Sequence, residues 1–347
     1  MLFRSEKVDT TKSEFPFVIQ VADLKLKNIN FLLQSDENKG SNRDYEVLNL
    51  NDLRINNLFL SLGAYADITN NIYELAIDDF SFLMNLKNFQ FSYFQTYLRV
   101  DENKIEIDNF NLLTNNSNIN LNATITDLNL FGELNEEALG KSKINFILNA
   151  ENFDFKDLNS FFTSPNVLKG NFSTKFSASG SFNELDINQL DIKLNNSNIN
   201  TTGKIFNLTH PTDLYISSKI TNSKIYYNDV KNLFQSLALP DFPNLDFVQF
   251  DTLSYEGQPT KFTVNLASTI ENGKLNAVAD FDMTKGEMVY DIDVFTRALN
   301  LNSIIEIPSS LNLALNVKGR GTSVDKISAD LSTKIENSNF NNINIKS

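Results

Sequence analysis

The feature that most limits how this 347-residue chain can fold is a period-two alternation broken, again and again, by one extra residue. Apolar residues recur at i, i+2, i+5 and i+7. Leu24, Leu26, Ile29 and Phe31 do so, as do Leu48, Leu50, Leu53 and Ile55, running on to Leu58 and Leu60. Leu75, Ile77, Phe80 and Phe82 repeat the pattern, then Ile105, Ile107, Phe110 and Leu112, then Leu185, Ile187, Leu190 and Ile192. Strict alternation would put i and i+5 on opposite faces. One inserted residue restores the face and bends the strand, which is what a β-bulge does. The residues at the slips are Lys27-Asn28, Asn51-Asp52, Asn56-Asn57, Asp78-Asp79, Asp108-Asn109 and Asn188-Gln189. Asn and Asp tolerate the backbone angles that bulges and tight turns need. The spacing predicts curved strands that keep one face apolar, or pairs of short strands joined by kinks. Amphipathic helices would instead show i+3/i+4 spacing.

Longer repeats lie over this rhythm. NNSNIN occurs at Asn115–Asn120 and again at Asn195–Asn200, and Lys104–Thr114 aligns without gaps to Glu184–Leu194. Gly180–Asn200 aligns to Gly321–Asn341, and Asn149–Leu158 to Phe295–Ile304, which suggests a loose superunit of roughly 140 residues in a stacked, quasi-one-dimensional β protein. Helices are expected to be few and short: Glu133–Gly140, Lys156–Phe162, Asp229–Leu237 with Asp229 as N-cap, and Leu301–Ile305. The Pro240–Pro243 stretch is the clearest boundary signal. It divides the chain into a polar N-terminal segment (1–13), a first β segment (14–240) and a continuing one (241–347).

The residues rule out much chemistry. With no cysteine there is no disulfide scaffold, no zinc finger and no cysteine nucleophile. The single histidine, His210, lies in a turn with no GxSxG elbow to serve, so a surface turn is the expected role. No HExxH, Walker A, GxGxxG or EF-hand pattern occurs. The acidic pairs Asp78-Asp79 and Glu136-Glu137 read as a solvated turn and a helix start. A net charge of -13 argues against nucleic acid as a partner, and the 29 phenylalanines fall on the apolar face rather than beside basic residues. No apolar run reaches the roughly 18 residues of a membrane helix, and Met1–Lys12 lacks a signal-peptide core. No enzyme, catalytic residue, metal or cofactor is expected.

Several stretches carry a resemblance: Glu14–Leu33, Val47–Leu62, Val100–Ile125, Ile144–Phe162 and Val230–Leu245. In rhythm they resemble the AsmA/TamB superfamily, above all TamB-type translocation and assembly proteins of Gram-negative, Bacteroidetes-like bacteria. The likeness extends over most of Glu14–Ser347 and includes no catalytic signature. It implies an all-β protein: an elongated, curved antiparallel sheet folded into a taco-like apolar groove. It further implies a periplasmic role, conducting phospholipid between the inner and outer membranes and supporting outer-membrane biogenesis. The alternative is a scaffold or chaperone for outer-membrane protein assembly that conducts no lipid. Full-length members carry an inner-membrane anchor and meet an outer-membrane barrel partner, so the chain reads as an internal segment. Asn337–Ser347, which looks like the middle of a strand pattern, fits that expectation.

A closed two-sheet sandwich is the competing architecture. In the groove reading the partner is phospholipid acyl chains, and the work is shared by a collective apolar face. Its candidate lining is Ile105, Ile107, Phe110, Leu112, Phe172, Phe176, Leu185, Ile187, Leu190 and Ile192.

Overall fold

The computed structural model describes residues 17–162, 168–234, 241–242, 244–321 and 327–346. In chain order the elements are β1 (Val18–Gln34), β2 (Asp52–Asp67), β3 (Ile72–Met84), β4 (Gln90–Val100), β5 (Lys104–Thr114), β6 (Asn118–Thr126), α1 (Glu136–Lys141), β7 (Lys143–Asp154) and α2 (Phe155–Asn159). There follow β8 (Asn171–Gly180), β9 (Glu184–Leu194), β10 (Ser197–Phe206), β11 (Tyr215–Tyr226), α3 (Tyr227–Leu233), β12 (Phe247–Gln258), β13 (Lys261–Ile270) and β14 (Gly273–Asp282). The last are β15 (Val289–Leu299), α4 (Asn302–Ile305), β16 (Ser309–Arg320), β17 (Ser328–Ile335), β18 (Ser338–Phe340) and β19 (Ile343–Ile345).

From β1 to β17 every strand pairs antiparallel with the next, giving one long curved meander that does not close into a barrel. β18 continues the line of β17 along β16 past a left-handed Asn337, and β19 returns along β18. Their two-residue turn holds Asn341 and Asn342 at φ 47° and 65°, the pair of positive angles that a tight hairpin turn needs. The expected all-β, curved architecture is what the chain adopts.

Five of the six slip sites fall at register shifts. Asn28, Asn57 and Asn109 take φ of 57°, 53° and 51° there, while Asp78-Asp79 and Asn188-Gln189 also interrupt the pairing. Asn51-Asp52 differs: Asn51 ends the turn before β2 and Asp52 is the first residue of the strand. Leu48 and Leu50 therefore belong to the β1–β2 link and not to a bent strand.

A bulge frees a backbone N–H, and asparagine side chains supply its partner. Asn57 N–H donates to Asn30 Oδ1 (3.1 Å), Asn109 N–H to Asn122 Oδ1 (2.9 Å), and Ala298 N–H to Asn312 Oδ1 (3.0 Å). The asparagine-rich composition thus has a structural use: the ladder bends without orphaning a donor.

Helices follow β7, β11 and β15, so the repeat is four strands long. The two NNSNIN copies form the β5–β6 and β9–β10 turns, one unit apart. The longer correspondence of Gly180–Asn200 with Gly321–Asn341 joins β9 to β17, two units apart. All four expected helices exist; three lie within a few residues of their expected limits, and the expected end of α3, Leu237, lies outside the described residues. Asp229 is not the N-cap of α3, a position held by Tyr226. Its carboxylate points inward and accepts from Asn196 N–H (3.0 Å), Ser197 N–H (2.9 Å) and Ser197 Oγ (2.7 Å). Pro240 and Pro243 of the expected boundary lie outside the described residues, and β11 pairs directly with β12 across it.

Candidate functional site

The pairing register shows which residues share a face. Ile107 lies opposite Ala123 and Phe110 opposite Leu121. Ala123 and Leu121 are two apart on an unbroken stretch of β6, so Ile107 and Phe110 share a face despite being three apart. The same holds for Ile187 and Leu190, opposite Ala178 and Phe176. Each bulge resets the pattern, and the apolar set never crosses the sheet.

Followed from strand to strand, the partners form rows. The first row starts at Ile19, passes through Val100, Ile105, Ile125, Ile144, Gly180, Leu185, Ile205 and Ile216, and ends at Gly319 and Ala329. It crosses all seventeen strands of the meander and contains no charged or amide side chain. The second runs from Val21 through Leu98, Ile107, Ala123, Phe146, Ala178 and Ile187 to Val317 and Leu331. A third begins at Phe110 and passes Leu121, Leu148, Phe176 and Leu190 on its way to Leu315. Leu112, Ile119, Ala150, Thr174 and Ile192 make a shorter fourth row. Phe172 lies on the same face and touches the rings of Phe153 (5.2 Å) and Phe155 (5.4 Å).

Between the first two rows, on the opposite face, runs a wholly polar one. Glu74, Arg99, Glu106, Thr124, Asn145, Ser179, Asp186 and Lys204 belong to it, and Asp280, Asp291, Lys318 and Asp330 continue it. Its charges pair with one another: Arg99 with Glu74 (2.8 Å), Lys204 with Asp186 (3.0 Å), Lys318 with Asp291 (2.8 Å). At its rim Asp282 is lowered to about 2, first by the Thr284 hydroxyl and N–H and then by Lys261. Such exposed pairs add little stability; they keep this face wet and the other dry.

All ten candidate lining residues sit on the apolar face, and all ten are half-buried, neither sealed nor open. Among the described residues fully buried apolar side chains are few: Ala150, Ala178 and Ala279 on the face, Leu86, Phe89 and Leu128 beyond strand ends, and Ile270 and Leu299 at the last positions of β13 and β15. A closed sandwich would seal the inner face. Here one sheet shields its own apolar side by curving. At the β1–β4 end this leaves a cup of about 360 Å³ against Ile19, Ala66, Tyr73, Leu75, Leu98 and Val100, and Phe131 reaches back to within 5.5 Å of the Tyr73 ring.

A larger recess, about 710 Å³, lies by Tyr215, Lys261, Asp282, Val289 and Lys318. Its cations are already spent on Asp282 and Asp291. His210 pairs with Glu136 on the surface (2.8 Å). Among the described residues, no cluster of acids or histidine has metal-binding geometry.

Two features escaped the sequence reading. One is the full width of the rows, since Ile125, Ile144 and Leu148 carry them as much as the candidates do. The other is a set of buried carboxylates, Asp52, Asp157 and Asp229, that pin the links. For Asp157 and Asp229 the repeated NNS string was the signal: Ser117 Oγ donates to Asp157 (2.6 Å) as Ser197 Oγ does to Asp229. Comparison with family models, with curated proteins and with solved structures returns no match.

Proposed function

We propose that the chain is a segment of a lipid-conducting bridge, its apolar face carrying acyl chains while headgroups stay at the wet rim. The observation that supports this is the continuity of the apolar rows across seventeen strands, most of whose side chains on that face are half-buried. At roughly 4.8 Å per strand that is a path of about 77 Å. Carrying a sixteen-carbon acyl chain through water costs on the order of 13 kcal/mol, at about 0.8 per methylene. An unbroken apolar path avoids that cost. In this reading the protein works in the periplasm, between inner and outer membranes, and its phospholipid traffic serves outer-membrane biogenesis. An outer-membrane barrel partner would meet a part of the protein other than this segment.

The scaffold reading has one observation in its favour. The β17 edge is exposed along its length and pairs with β16 without irregularity, as an acceptor of an added strand would.

Photo-crosslinkers at Leu185 and Leu190 test the conduit. The wild-type chain should capture phospholipid. Ile187→Asp or Phe176→Lys should lower capture about tenfold or more, because a charge on the path costs upward of ~1.4 kcal/mol. Their Tm should stay within about 5 °C, because a half-open position lets the charge hydrate. A wild type that captures no lipid sinks the conduit, and capture of extended peptide at β17 would favour the scaffold. Variants that simply unfold would point to a sealed core.

A further inference from the structure

We propose that the β10–β11 step of the apolar face is a docking point for the ester carbonyl of an acyl lipid, held by the hydroxyls of Thr201 and Ser218. This rests on the conduit reading and names the part of the lipid that the path recognises. The rows show where to look. In the second row, Ile187 is followed by Gly203 and Ser218 before Tyr255 and Val264 resume. In the third, Leu190 is followed by Thr201 before Ile220, Leu253 and Leu266. The hydroxyls that interrupt these rows inside the sheet thus cluster on three adjacent strands. The first row stays apolar beside them, through Leu185, Ile205 and Ile216.

The cluster has the chemistry of a donor site. Neither Thr201 nor Ser218 has a side-chain hydrogen bond among the described residues, and both are half-buried, so their donors are free and reachable. Tyr255 is engaged, its hydroxyl donating to Gln258 O (3.0 Å). Thr96 and Thr174, also without a partner on this face, are only 3% and 9% exposed and shut off from a ligand. A Cβ at Gly203 would lie 2.4 Å from Ser217 O, so β10 and β11 pass too close there for any side chain at that position. Hydrocarbon offers nothing to two donors, and a phosphate would be stranded among isoleucines. An ester carbonyl is a neutral acceptor carried between apolar chains, and it matches both the donors and their surroundings.

The test compares diester phosphatidylglycerol with its diether analogue of equal chain length, binding each to the intact chain and reading occupancy by native mass spectrometry. The wild type should favour the diester about fivefold, the equivalent of one net hydrogen bond. Thr201→Val with Ser218→Ala should abolish that preference and leave diether binding within about twofold. Ser218→Thr, which keeps a hydroxyl, should retain the preference and serves as the folding control. Equal wild-type binding of the two lipids, or a preference that survives in the double variant, overturns the docking point and leaves the conduit standing. If neither lipid binds the wild type, the conduit reading falls and takes the docking point with it.

Discussion

Two kinds of link close the same end of the sheet. The β7–β8 and β11–β12 links carry α2 and α3, and each places a buried carboxylate against the preceding hairpin turn. Asp157 accepts from Thr114 Oγ1 (2.5 Å), Ser117 Oγ (2.6 Å) and Asn116 Nδ2 (2.7 Å), and Asp229 from Asn196 and Ser197. The β15–β16 link carries α4 in the equivalent place. There a serine, Ser303, replaces the acid, and Gly273 replaces the turn serine. Ser303 Oγ is buried without a partner, and a Cβ at Gly273 would lie 2.7 Å from Leu299 Cα. One architecture is therefore closed in two ways, by charge-assisted hydrogen bonds or by close backbone contact. What the repeat preserves is the fit of helix against turn, with no requirement for particular side chains.

The comparison can be broken most forcefully at α3. Asp229→Ala strands two backbone N–H groups and a hydroxyl in a dry site and should cost about 3 kcal/mol, read as a lowered urea midpoint. A loss below about 0.5 kcal/mol would mean that the carboxylate is ornamental and the two closures equivalent.

Acid sharpens the contrast. Asp52, the carboxylate of the β1–β2 link, is held below its ordinary value by Gln34 first and by Tyr45, against the opposing effect of burial. A lowered folded pKa gives stability that is present above the ordinary value of 3.8 and lost as pH falls through the folded one. Amide protection in the β1–β2 link, at Ser35 and Tyr45, should therefore drop on acidification before protection at Ile304 and Ile305, beside an anchor that does not titrate. Simultaneous loss would show that the links open only with the whole sheet.

The smallest effect is a gain. Ser303→Ala removes an unsatisfied buried hydroxyl and should raise stability by up to ~1 kcal/mol. A loss of that size would reveal a partner for Ser303 in solution.

Much of the fold was legible because its signal is local. Alternation marks strands, and the i+2 to i+5 slip marks bulges at Asn28, Asn57 and Asn109 without reference to anything distant. Eight of the ten candidate lining residues, all but Phe172 and Phe176, were read from the same slip. Where the slip was misread, at Asn51-Asp52, two leucines in a link happened to continue the rhythm. The rows were not legible, because they depend on register between strands and no single strand shows that Gly203 lies opposite Ser218. Asp229 was noticed for the wrong job: at a helix start, an acid reads as a cap, and only the position of Ser197 turns it inward.

The meander has a consequence for how the chain is made. Every ladder from β1 to β17 joins a strand to the next one in sequence. A chain delivered from its N-terminal end never has to hold a strand in reserve for a partner that arrives much later, because each hairpin can zip onto the last as it appears. Loop-closure entropy stays small at every step. The sheet can therefore grow at its exposed edge as the chain arrives, and its final size does not lengthen the search that any one strand must make.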